Sequence, residues 1–324
     1  MSIERQLIEE FERDSRKCPS DLDTRIAAEY KHRVMQQRGI PFMFRKRRIP
    51  KVVLIAVIFI VICGFGYAGN KLLFEDQKEK LSISYRTEQQ LHFEKVDVEK
   101  IRGSFQEVKA QLQPGDTAVV YLQDYDIQVQ GTPIVFGINK PVPVPLEAWK
   151  ATLQQRSIKE KLPESILGTY KFVEGMESSP YQFNYGPDAY RLLKEMKAES
   201  KETGSKVLWR KTNLSEAIPV VPFTSVYRNS DNDTIYLTWQ IAGGDTNVKI
   251  FQAATLGTAY EEINIGGQKA HYLLDNQSLY GQSTIHQDVM WLKESGGQTV
   301  VYHVQSDSPS MTKEQLIEAA KSLL

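Results

Sequence analysis

"DVMWLKESGGQTVVYHVQS", Asp288 to Ser306, decides the fold. Two runs of alternating apolar and polar residues meet at Gly296 and Gly297, and paired glycines supply the positive φ values that a two-residue hairpin turn needs. "YEEINIGGQKAHYLLD", Tyr260 to Asp275, repeats the design around Gly266 and Gly267. Upstream, "TIYLTWQIAGG" sets Ile235, Leu237 and Trp239 against Tyr236, Thr238 and Gln240, the period of a strand. The chain closes with "MTKEQLIEAAKSLL". Here Thr312 and Gln315 fit a capping box, and Leu316, Ala319, Ala320 and Leu323 share one helical face. These patterns give an α+β class: an antiparallel sheet over residues 161–324 with a C-terminal helix packed across it.

Working back from the sheet, residues 96–160 read as a helix and strand subdomain. "DVEKIRGSFQEVKAQL" spaces Val98, Ile101, Phe105, Val108 and Leu112 by three and four, and Pro114 and Gly115 end the helix. "TAVVYLQDYDIQV" follows as a strand, and "KPVPVPLEAW" reads as an extended connector. Residues 71–95 are polar with little apolar periodicity, which suits a stalk.

Before the stalk lies "RKRRIPKVVLIAVIFIVICGFGYAG". From Val52 to Gly69 there are 18 residues without a charge or carboxamide. As a helix they span roughly 27 Å, close to the hydrocarbon thickness of a bilayer. Arg45, Lys46, Arg47, Arg48 and Lys51 mass on one side only, so the positive-inside rule places the N-terminus in the cytoplasm. About fifty polar residues come first, which makes residues 50–70 a single retained transmembrane helix rather than a cleaved leader. The expected location is the cell membrane, crossed once, with the C-terminal part extracytoplasmic and the lipid bilayer as a partner.

The formal charge is zero overall, yet residues 1–51 carry 13 Lys+Arg against 8 Asp+Glu, so the inner segment is mildly basic. It lacks the basic face with interleaved aromatics of a nucleic-acid reader, and no nucleic acid is expected as a partner. Residues 1–49 read instead as two amphipathic helices. Leu7 and Phe11 on the first, and Leu22, Ile26 and Tyr30 on the second, form apolar stripes suited to a cytoplasmic partner or to a passive tail. Cys18 and Cys63 leave no disulfide to the outer part, which is long enough to be stable through its own core.

The order "LPESILGTYKF", "SVYRNSDNDTIYLTWQIAGG", "INIGGQKAHYLLD", then the last hairpin and a helix ending in Ala-Lys-Ser-Leu covers roughly residues 160–324. It resembles a family of uncharacterised C-terminal domains in Gram-positive bacterial membrane proteins. That resemblance implies an extracytoplasmic domain behind one span, often with an anti-sigma-factor-like segment inside, and a distant likeness to lipoprotein-sorting and lipoprotein-carrier proteins. It makes a cytoplasmic sigma factor a candidate partner. The inner segment departs from the zinc-binding anti-sigma pattern, since only Cys18 and His32 are present and a closed zinc site needs four ligands.

No catalytic constellation stands out. His271, His286 and His303 fall on expected strands and could converge, though at no metal-ligand spacing, and His32 and His92 lie elsewhere. Asp124 with Asp126, and Glu261 with Glu262, read as polar faces and turns. No nucleophile elbow or phosphate loop occurs. No enzyme, metal or cofactor is therefore expected. The aromatic set Tyr236, Trp239, Tyr272, Trp291 and Tyr302 is either core or the lining of a groove for a lipid, peptide or glycan. The function expected is a regulatory membrane protein with an outer sensing or binding domain, or an anchored extracytoplasmic binding module.

Overall fold

The computed structural model describes residues 53–57, 62–63 and 71–324, apart from 80, 89–90, 92, 130–131, 157, 159–161, 182–187, 213–219, 243–246, 256 and 296–297. In chain order its elements begin with β1 Val53–Val57, β2 Ile62–Cys63, β3 Leu72–Lys78, β4 Leu81–Thr87, helix α1 Lys95–Gln111 and β5 Thr117–Leu122. Then come β6 Gln128–Val129, β7 Thr132–Pro133, β8 Phe136–Asn139, α2 Leu146–Gln155, β9 Ser165–Ile166, β10 Tyr170–Met176, α3 Ala189–Thr203 and β11 Val207–Lys211. The last part comprises β12 Val220–Arg228, β13 Thr234–Ala242, β14 Asn247–Ala254, β15 Ala259–Ile265, β16 Gln268–Asp275, β17 Gln277–Ser278, β18 His286–Ser295, β19 Gln298–Ser306 and α4 Lys313–Lys321.

Both glycine hairpins form. Ile265 pairs with Gln268, and Gly266 and Gly267 sit at φ +57° and +88°, the two left-handed positions of a type I′ turn. Ser295 pairs with Gln298 in the β18–β19 ladder. These ladders belong to an eight-stranded antiparallel sheet of order β15-β16-β18-β19-β13-β12-β10-β9. On one face, Trp149 of α2 and Leu316, Ala319 and Ala320 of α4 bury Phe223, Leu237, Trp239, Trp291 and Tyr302. Thr312 caps α4 as its sequence implies: its Oγ1 accepts the Gln315 N–H at 3.2 Å, and Gln315 Oε1 accepts the Thr312 N–H at 2.9 Å.

The opposite face is also covered. A second sheet of order β17-β2-β14-β4-β3, with β1 parallel to β14, brings Leu81, Ile83, Tyr85, Val248 and Ile250 against Leu273, Met290, Leu292 and Val301. Sandwiching explains why Tyr236, Thr238 and Gln240, the polar half of the β13 alternation, are as buried as its apolar half.

A third unit is a small sheet of order β11-β5-β8, with α1 packed on one face and α3 on the other. Because β11 and α3 come from beyond residue 160, this unit does not end where the sequence placed its boundary.

Two expectations change. Residues 71–95 hold a hairpin rather than a stalk: Leu81, Ile83 and Tyr85 alternate into the core, and the turn between β3 and β4 includes Glu79 at φ +46° rather than a glycine. The connector Lys140–Trp149 is extended only to Pro145, which caps α2 where its fixed φ is tolerated. Within the expected span, the described pieces β1 and β2 are extended, in keeping with their Val and Ile content. The rest of that span lies outside the described residues, as do Leu7, Phe11, Leu22, Ile26, Tyr30, the cluster Arg45 to Arg48, Lys51, Val52 and Gly69. Among the described residues no helix is long and apolar enough to cross a membrane.

Candidate functional site

Strand alternation turns His286 and Asp288 of β18 and His303 and Gln305 of β19 to the face away from α4. There they meet. His303 Nδ1 lies 2.8 Å from Asp288 Oδ2, Gln305 Nε2 donates to the same oxygen at 3.2 Å, and Gln305 Nε2 is 3.3 Å from His286 Nε2. The Tyr181 ring covers His286 with centroids 4.1 Å apart. Burial drives the His286 pKa down to about 4, the nearby His303 acts in the same sense, and the Asp288 charge opposes them. All four side chains are sealed from solvent. Among the described residues the seam is closed to solvent, and His286 sits in it as a buried proton acceptor.

His271, the third strand histidine, stands apart. Its Nε2 is 2.9 Å from Asp76 Oδ2, its Nδ1 is 3.1 Å from the Tyr260 hydroxyl, and its ring stacks on Phe74 at 3.8 Å. Burial lowers its pKa against the pull of Asp76. Among the described residues, no group of three or more His, Cys, Asp or Glu is placed to hold a metal ion. Asp124 and Asp126 pair with Lys206 and Lys197, and Glu261 and Glu262 with Lys313 and Lys269, which makes them partners of surface lysines.

The aromatic set divides. Trp239, Tyr272, Trp291 and Tyr302 fill the core under α2 and α4 and line no open groove, with Trp291 stacked on Tyr302 at 5.0 Å. Tyr236 points to the other face and reaches a cleft.

That cleft has a volume of about 300 Å³ and lies between α1 and β8 on one side and β10, β12 and β13 on the other. Its apolar surface comes from Phe105, Ile138, Met176, Val226 and Leu279. Lys109 of α1 and Arg228 of β12 supply positive charge from opposite walls, and Glu174 of β10 is the one acidic residue of the lining. None of these three makes an ion pair among the described residues. Partial burial, reinforced by the charge of Lys140, pulls the Lys109 ammonium below its usual pKa.

One wall of the cleft is the segment Leu279–Gln282, and it is tied down from both sides. The Arg102 guanidinium of α1 donates to the carbonyls of Ser278, Tyr280 and Gly281 at 2.7, 3.1 and 3.3 Å. From the sheet side, Asp307 Oδ2 accepts the Gln282 N–H at 2.7 Å and the Tyr236 hydroxyl at 3.4 Å. Burial raises the Asp307 pKa, and these bonds and Arg102 oppose it. Gly281 turns between them at φ +82°, where an added Cβ would stand 2.8 Å from Asp307 Oδ2 and 2.9 Å from Tyr181 Cε1.

Sequence reasoning missed this cleft. Its lining residues run from Phe105 to Gln282 and come together where α1 docks on the 278–281 carbonyls. The one local signal was Arg102, a cation on a helix whose neighbouring stripe is apolar. Comparison of the chain with family models, with curated proteins and with solved structures finds no match.

Proposed function

We propose that this chain is a single-pass membrane protein whose outer domain binds a ligand in the cleft between α1 and the large sheet, and whose inner amphipathic pair holds a cytoplasmic partner. One observation carries the binding reading: Lys109 and Arg228 line the same cleft from opposite walls, and neither makes an ion pair among the described residues. A cleft at a seam between packed elements, where apolar surface meets convergent polar and charged groups, is a usual form of ligand site. The anchoring part rests on the uncharged stretch Val52–Gly69 behind its basic flank. The resemblance of residues 160–324 to extracytoplasmic domains points the same way. The inner stripe of Leu22, Ile26 and Tyr30 supports a partner such as a sigma factor, which would be released when the outer domain changes its ligand state.

Hydrogen exchange of the full chain, with and without cell-envelope extract, tests the binding reading. Slowed exchange is expected at residues 105–109, 137–141 and 279–282, and the double variant Lys109→Glu, Arg228→Glu should lose it while keeping its melting temperature. Protection that is absent from these segments, or that survives the double variant, contradicts the reading.

A further inference from the structure

The cleft carries a feature that side chains alone do not show. β8 is an edge of the small sheet, and among the described residues no strand pairs with it on the side away from β5. The direction of its main-chain groups follows from the ladder. Lys140 donates to the Asp116 carbonyl and accepts the Gly115 N–H, and Thr212 N–H donates to the Thr117 carbonyl on the far side of β5. In antiparallel pairing, groups alternate sides from one residue to the next. Ile138 and Phe136 therefore face β5, and Gly137 turns its N–H and C=O away from it. Gly137 lines the cleft, is buried, and has no hydrogen bond outside its own sheet among the described residues.

A buried main-chain amide without a partner is costly, and an open strand edge is a template for another strand. Edges of ordinary surface strands are usually blunted by charged side chains on the edge itself. Here the edge residues are Phe136, Gly137, Ile138 and Asn139, with no charge among them. The nearby cations, Lys109 and Arg228, sit instead on the surrounding walls. A glycine inside a strand often marks a place where another backbone approaches closely.

The geometry points to an extended, acidic peptide segment as the occupant of this cleft, added as a strand beside Gly137 on the outer side of β8. This inference rests on the cleft being the binding site. β8 runs for about 13 Å, the length of four residues of a partner strand, and Gly137 within it turns its main-chain groups outward. Main-chain bonds to Gly137 would supply affinity, and the apolar part of the lining, Phe105, Met176 and Leu279, would take alternate side chains. Acidic groups on the peptide would answer Lys109 and Arg228, with Glu174 disfavouring a wholly polyacidic ligand.

The test uses the full chain labelled with ¹⁵N at its 20 glycines, where Gly137 reports the edge and Gly281 the opposite wall. The probes are a blocked hexapeptide of alternating glutamate and valine, its lysine counterpart, the glutamate peptide N-methylated at alternate amides, and dodecyl phosphate. The glutamate peptide should shift both glycines, and bind at least about tenfold more tightly than the lysine or the N-methylated peptide, the loss expected for one or two hydrogen bonds or charge contacts. Equal binding of the N-methylated peptide overturns strand addition and leaves the cleft as a site. Shifts with dodecyl phosphate alone overturn the peptide class and leave the cleft as a site for an anionic amphiphile. Silence with every probe overturns this inference and counts against the cleft itself.

Discussion

Replacing Gly175 by alanine should destabilise the domain by about 3 kcal/mol, the upper part of the range for forcing an atom into a packed core. An added Cβ would lie 2.0 Å from Cδ2, 2.2 Å from Cγ and 2.4 Å from Cε2 of Trp149. The indole has nowhere to go: it is fully buried, its Nε1 donates to Ser225 Oγ at 2.8 Å, and its ring packs on Phe223 at 6.3 Å. Nor can the strand retreat. Gly175 and Val144 exchange two main-chain hydrogen bonds of 2.8 Å each. Moving Trp149 also leaves a buried hydroxyl without its donor. In a domain of this size the thermal midpoint should fall by about 6–12 °C. Trp149→Ala alone should cost about 3–5 kcal/mol, and Gly175→Ala added to it should cost almost nothing further, because the obstructing ring is gone. Urea unfolding of the four chains measures the cycle. A Gly175→Ala chain that melts within a degree of the parent would contradict the packing.

Acid should weaken the fold through His286 by an amount of the same order. In the unfolded chain this imidazole binds its proton near 6.5, in the folded chain only near 4. Between those values the unfolded state holds more protons, so stability is full above pH 6.5 and is lost as pH falls toward 4. The loss amounts to about 3 kcal/mol. His271, whose pKa burial also lowers, adds in the same direction. Asp307 works the other way: its raised pKa makes the folded state the better proton binder, so acid relieves the cost of burying its charge. The groups facing His286 are Asp288 and Gln305 from the sheet and Tyr181 from the segment after β10, with His303 beyond them. His286→Gln should remove most of the acid slope between pH 6.5 and 4 when unfolding free energy is followed against pH. Identical slopes in the two chains would show that the seam is not the proton acceptor.

How much of this could be read beforehand depended on whether the deciding chemistry was local. The β15–β16 turn was legible because Gly266 and Gly267 are required by their own φ values, and the start of α4 because Thr312 and Gln315 satisfy each other three residues apart. The β3–β4 hairpin was missed because its turn has no glycine pair and its outer face, Glu75, Gln77 and their neighbours, dilutes the alternation of Leu81, Ile83 and Tyr85. Thr238, His303 and Gln305 lie on the polar half of their strands and are nonetheless buried, since nothing within β13 or β19 announces that a second sheet covers them. Of the strand histidines, His286 and His303 do approach each other, while His271 belongs to a separate cluster. The cleft lay furthest from view: Arg102 and Gly281 meet across 179 positions of sequence.

The proposed topology, with the described domain outside a membrane crossed by Val52–Gly69, is tested most directly by a protease added to intact cells followed by alkaline extraction of the membranes. The account predicts that residues beyond 71 are cut from outside while a fragment containing Val52–Gly69 resists the alkaline wash. An intact chain that resists the protease and washes free would contradict it, and would assign Val53–Val57 permanently to its place beside β14.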